Sequence, residues 1–299
     1  MLKWADQTGC GRRALTTVAA AGAIGLLGAA PASADHRAVV NCKHNGSALR
    51  TAIAGASFGE TLRVKGTCVG PFTISRDLTL IGVEGAALDG NYAGSTVEVT
   101  AKVRVRLTSL TVRNGTGSVF NGQVFGGGIL NDAGGAVTLN HTTVRNNAAV
   151  FGGGIANVGP AGGTVTLVDS TVRNNTANAA GGGIYLGRDD SLTLSGSKVQ
   201  DNHSAFGGGI TADAGSVVTL YDSAVRGNSA TNQGGGIKEF SGTVTLIHSK
   251  VERNRAGDGP GSGGGIHNVG GTVTLTDSKV RDNHPDNCAP PGAVADCTG

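Results

Sequence analysis

Asp222, His248 and Asp277 each stand two residues beyond the leucine of a Val-Thr-Leu segment, at Leu220, Leu246 and Leu275. A histidine between two carboxylates is a grouping that can move protons or hold a metal, and the carboxylates are expected to raise its pKa. The same position holds His141, Asp169 and Gly196 in other segments. These residues become neighbours, and Asp222, His248 and Asp277 candidate catalytic groups, only if the segments stack. Turn chemistry offers a plainer account, since Asp before Ser commonly opens a turn and alternating charge steadies a stacked column.

A second grouping is electrostatic. Flanking the valines of a further repeated segment are Arg145, Arg173, Lys198, Arg226, Lys250, Lys279 and Arg281, with Glu252 the lone anion. If those valines point inward, seven cations line one outer surface at about the 4.8 Å spacing of stacked strands. An extended anionic polysaccharide or cell-wall polymer carries charge at a comparable spacing and is the partner expected there. Long basic side chains can also simply solvate an exposed sheet and discourage lateral association.

Both groupings depend on a repeat. The string Gly-Gly-Gly-Ile ends at Ile129, Ile155, Ile184, Ile210, Ile237 and Ile266, at intervals of 26, 29, 26, 27 and 29 residues. Each unit continues through an apolar patch ending in Leu139, Leu167, Leu194, Leu220, Leu246 or Leu275. A valine segment follows, and three residues after each valine comes Asn147, Asn175, Asn202, Asn228, Asn254 or Asn283. The apolar spacing is two and the segments are short, which leaves no room for helices and predicts three strands per unit.

The fold expected is all-β: a right-handed parallel β-helix, a three-sheet solenoid of about nine coils. Glycine columns belong at its corners, where a side chain would strain the turn or strike the next coil. The asparagine column is expected to form an inward amide ladder. Less regular coils extend upstream through Thr61 to Val64, Phe72 to Ile74, Leu78 to Val83, Leu88 to Asn91, Val97 to Thr100 and Val103 to Val112. The solenoid is placed at 59–283. Its open ends need caps: an N-terminal cap over 35–58, with an amphipathic helix begun by Ser47 and carrying Leu49 and Ile53, and a C-terminal cap over 284–299.

Residues 1–34 read as a signal peptide cut before Asp35, with Arg12-Arg13, an apolar run from Val18 to Ala30 and a small-residue site at Pro31-Ala-Ser-Ala34. The paired arginines resemble a twin-arginine export signal. The run is too short and glycine-rich to span a membrane, and no span is expected in the mature chain. Export implies a secreted, extracellular protein, free or associated with the cell wall. Of 24 Lys and Arg and 21 Asp and Glu, the leader removes Lys3, Arg12, Arg13 and Asp6, leaving a net charge of about +1. Nothing in that balance attracts nucleic acid.

Cys42, Cys68, Cys288 and Cys297 remain after the leader and allow three pairings. Because the two ends of such a solenoid lie tens of Å apart, Cys42 is expected to pair with Cys68 and Cys288 with Cys297. No metal-ligand spacing, no P-loop lysine and no calcium-repeat aspartate accompanies the glycines, so neither metal nor cofactor is expected.

The Gly-Gly-Gly-Ile and Val-Arg-Asn-Asn strings resemble the GGA(I/L/V) and Phe-x-x-Asn repeats of polymorphic outer-membrane proteins, with Val for Phe. They resemble more distantly the pectin-lyase-like β-helix superfamily. The resemblance covers about Gly126 to Asn283. It implies an exported β-helix that acts as a structural or surface-binding module, or alternatively as a polysaccharide lyase or glycoside hydrolase. Of the polygalacturonase-type segments, only Asp189-Asp190 finds a match, without its neighbours.

Overall fold

The computed structural model describes residues 39–159, 162–257 and 259–297. The signal peptide expected over 1–34 lies outside them, as do 35–38 of the N-terminal cap. No helix among the described residues is long and apolar enough to cross a membrane.

One coil illustrates the whole. Strand Ile155–Asn157 leads through a loop to Thr164–Val168, then Asp169 turns the chain at φ 47° into Thr171–Arg173. Asn174 turns it again at φ 54° into Thr176–Ala180, and Gly181 to Gly183 return it to Ile184. Each strand pairs in parallel with its counterpart one coil away, Ile155 with Ile184, Leu167 with Leu194 and Val172 with Val199. Over the described residues the result is an all-β parallel solenoid of about nine turns with a single short helix.

The described residues form three sheets, of 17, nine and six strands; the first two run the length of the solenoid and the third covers its middle coils. The leucine and valine strands share the largest, because the long strands Glu60–Val69 and Leu78–Asp89 carry the ladder round the corner between them. The isoleucine strands make the nine-stranded sheet. The six-stranded sheet comes from segments after the ladder asparagine, such as Ala148–Phe151 and Thr176–Ala180, which sequence patterning left as turns. Register shifts there absorb the unequal coil lengths.

Alternation along the strands buries Ile, Leu and Val in one continuous core, as with Ile155, Val165, Leu167 and Val172. Ordering the rest of a coil offsets what those few side chains gain, so each coil depends on its neighbours for stability. Polar residues at the corners satisfy one another along the axis. Each ladder asparagine donates through Nδ2 to the Oδ1 of the next, from Asn147 through Asn175, Asn202, Asn228 and Asn254 to Asn283, at 2.9–3.0 Å. A second ladder runs beside the leucine corner. There the backbone N–H of Thr142, Ser170, Ser197, Ser223 and Ser249 donates to the hydroxyl one coil on.

The triple glycine answers two constraints. Gly152 sits at φ 65°, left-handed backbone that disfavours a side chain, whereas Gly209 is excluded by contact: an added Cβ would lie 2.5 Å from the carbonyl oxygen of Gly236.

Both ends are closed. Helix Ala48–Gly55 lays Leu49 and Ile53 on the open core, and strand Val39–Asn41 pairs with Arg63 to Lys65. Ser47 does not cap the helix as expected. Its hydroxyl turns away to Asn45 Oδ1 at 2.8 Å and its own backbone is helical, so the first turn begins without a side-chain cap. At the other end Cys288–Ala289 adds the last strand to the isoleucine sheet and Val294 plugs the core. The disulfides are Cys42–Cys68 and Cys288–Cys297.

Candidate functional site

Stacking brings the first sequence grouping together. His248 Nδ1 lies 3.8 Å from Asp222 Oδ1, and its Nε2 lies 3.5 Å from Asp277 Oδ2, while His141 Nε2 sits 3.7 Å from Asp169. Every member has a positive φ, between 46° and 49° for His141, Asp169, Asp222, His248 and Asp277. That left-handed corner favours Asp, Asn, His and Gly over other residues, and so sets the residue types of the column. All five side chains are more than half exposed. Water screens such pairs to a fraction of a kcal/mol. The adjoining hollow, of about 230 Å³ between Gly196, Asp222, His248 and Lys250, encloses none of them. Among the described residues no group of three His, Cys, Asp or Glu could hold a metal.

The seven cations fall into two rows, one on each side of the buried valines. One row runs Arg113, Arg145, Arg173, Gln200, Arg226, Glu252 and Arg281 in register, and the other includes Lys198, Lys250 and Lys279. Arg226 is committed to Gln200 Oε1 at 3.0 and 3.2 Å, and Arg281 to the buried Glu252 at 3.0 Å and to Asp282. Arg113, which the sequence reading omitted from the row, pairs with Asp89 at 2.9 Å. Arg145 and Arg173 make no side-chain bond among the described residues. Lys198, Lys250 and Lys279 are exposed and unpaired there as well. The row is therefore a cluster of two free guanidinium groups beside three free amines.

Of the matched Asp189-Asp190 pair, Asp189 is exposed and Asp190 performs a structural task. Asp190 is fully buried, and its Oδ1 accepts the N–H of Gly163 at 2.6 Å while Oδ2 finds no partner. Burial pushes its pKa up to about 7. A carboxyl held inside the wall cannot reach a polymer outside it.

A third surface escaped the sequence reading. Residues one beyond each isoleucine point away from the core, and Leu130 and Ala156 form a separate outer cluster with Val158, Phe120, Phe125 and Tyr185. Phe125 and Phe151 stack at 5.0 Å, with Tyr185 5.3 Å from Phe151 and 5.9 Å from Phe125. Tyr185 donates its hydroxyl to Asp213 Oδ2 at 2.6 Å, and burial together with that bond pushes the phenol far above its ordinary pKa.

At one end of this strip stand Glu98 and Asp132. Burial raises the pKa of both, and the charge of Asp132 raises Glu98 further. Ser118, on the hairpin formed by Ser118–Phe120 and Gln123–Phe125, bonds to Glu98. A legible signal existed: Phe125, Phe151 and Phe206 each immediately precede a triple glycine. Their shared register with Ala180 and Gln233 places them on one line.

Comparison with known proteins finds no matching family model, no matching curated protein and no matching solved structure.

Proposed function

We propose that this chain is an exported β-solenoid that binds an anionic polysaccharide or cell-wall polymer without transforming it. The observation that carries the reading is the pair Arg145 and Arg173, in register on adjacent coils with neither guanidinium bonded to a carboxylate. Planar guanidinium forks suit carboxylate and phosphate groups, and a rigid ladder holds the two backbone positions at the spacing of its strands. Lys198, Lys250 and Lys279 extend the positive surface across the valine row. The two disulfides accord with export to an oxidising setting, outside the cell or at its wall.

The test is retention on immobilised polyuronate and on wall teichoic polymer across a salt gradient. An Arg145→Ala/Arg173→Ala variant removes two exposed ionic contacts worth about 1–2 kcal/mol together, a roughly 5- to 30-fold loss of affinity. Equal retention of variant and parent refutes the reading.

One observation favours the second reading, a polysaccharide lyase or glycoside hydrolase. Glu98 and Asp132 form a carboxylate pair with raised pKa values beside an aromatic strip, the condition in which one carboxyl keeps a proton to donate. Release of reducing or unsaturated sugar from a panel of polysaccharides, reduced about 100-fold in Glu98→Gln, would establish it. Binding without turnover removes it.

A further inference from the structure

The most unusual side chain in the molecule is Lys238. Only 4% of the residue is exposed, and among the described residues no carboxylate pairs with it. Its Nζ lies 4.3 Å from the ring centre of Phe206 and 4.7 Å from that of Phe240. Among the described residues the amine has one polar contact, donating to Oε1 of Gln233 at 2.6 Å. Gln233 ends a strand of the six-stranded sheet, Lys238 sits in the isoleucine sheet, and Gly234, Gly235 and Gly236 form the corner between them. Two phenyl rings thus flank the buried amine where it meets a half-buried carboxamide.

A group able to carry a proton stands beside Lys238. His267 occupies the position one coil on from Lys238 in the same row. It is 8% exposed, and its Nδ1 has no hydrogen-bond partner. Burial first, then the charge of Lys238, lowers its pKa, against a smaller opposing pull from Asp286. Thr211 precedes Lys238 in the row, and Glu239 points to the opposite side of the sheet.

We propose that Lys238 and Gln233 condense into an intramolecular isopeptide bond that clamps the glycine corner. The Nζ lone pair adds to Cδ of Gln233, and Nδ1 of His267 takes the proton released by that nitrogen and passes it to the carboxamide nitrogen. The Cδ–N bond then breaks and ammonia leaves. A primary amide and an amine become a secondary amide and ammonia, so the step balances without oxidant or co-reactant. Burial supports it by lowering the amine to about 8, which supplies the uncharged nucleophile at mildly alkaline pH. This site is independent of the polymer-binding reading, since it lies on another face and involves none of the basic row.

The experiment is mass spectrometry of the purified full chain, denatured after folding. The expected result is a mass lower by one ammonia, about 17 Da, located by fragmentation to a peptide in which trypsin has not cut after Lys238. Lys238→Arg keeps the charge and removes the nucleophile, so it should have full mass. Gln233→Glu should likewise remain unlinked, and His267→Ala should link more slowly in parallel samples held at pH 8. Far-UV circular dichroism confirms that each variant is folded. A parent chain of full mass, with ready cleavage after Lys238, overturns the proposal. So does loss of ammonia that persists in Lys238→Arg, because it would then arise at another residue.

Discussion

Replacing Asp190 with asparagine should change how stability depends on pH. Burial raises the folded-state pKa of this carboxyl to about 7, whereas an unfolded aspartate titrates near 3.9. Below about pH 4 both states hold the proton and the site costs nothing. Between about 4 and 7 only the folded chain keeps it, so stability falls as pH rises and levels off above about 7. A shift of about three units corresponds to roughly 4 kcal/mol lost across that window. The carboxamide introduced by Asp190→Asn would keep an oxygen for the Gly163 N–H and carry no titrating proton. Denaturant unfolding followed by circular dichroism from pH 4 to 8 should show variant and parent diverging upward through that range, by up to about 4 kcal/mol at pH 8. Residual slope in the variant belongs to the other carboxyls raised by burial, chiefly Glu239, Glu98 and Asp132, and with opposite sign to His267, whose pKa burial lowers. A constant difference between the two proteins at every pH would refute the reasoning.

Asn202→Ala breaks the amide ladder at its middle, removing the oxygen that accepts both the N–H and the Nδ2 of Asn175. The expected loss is roughly 3 kcal/mol by denaturant unfolding, with coils on either side fraying first in hydrogen exchange. Gly209→Ala forces a methyl against the Gly236 carbonyl and should destabilise by about 1–3 kcal/mol, measured as a lowered Tm. Cys42→Ser/Cys68→Ser opens a loop with a sequence separation of 26, worth about 3.5 kcal/mol in chain entropy; limited proteolysis should then cut first near the N-terminal helix.

Much of this architecture could be read from the chain because its repeats obey two rules at once. The alternation in segments such as Thr164–Val168 fixes which side chains go inward, and the constant offset from each leucine to its asparagine, as from Leu167 to Asn175, fixes where corners fall. Both disulfides followed from the distance between the two ends. The strand at Ala148–Phe151 was not legible because Asn-Asn-Ala-Ala carries turn residues and little β-branching; its ladder forms only because the coils above and below present matching edges. Ser47 had the right type for a helix cap, yet Asn45 competes for its hydroxyl. Of the surface groups, the proximity of His248 to Asp222 and Asp277 was readable from spacing. The ties from Arg226 to Gln200 and from Arg281 to Glu252 were not, since they depend on which rotamers meet across a coil. The outer aromatic strip was overlooked because the glycines beside each phenylalanine already had a sufficient geometric reason to be there.

The amide ladder has an implication for the gene as much as for the protein. Asn175 bonds to Asn202 in the manner in which Asn202 bonds to Asn228. Excising residues 184–209 would therefore bring Asn175 against Asn228 and Gly183 before Ile210, which restores both the amide ladder and the glycine corner. Slippage during replication can add or drop whole turns at little structural cost, and each event changes the reach of the molecule by one rung while its two sealed ends stay as they are. Length, in such a protein, is a heritable variable separable from foldability.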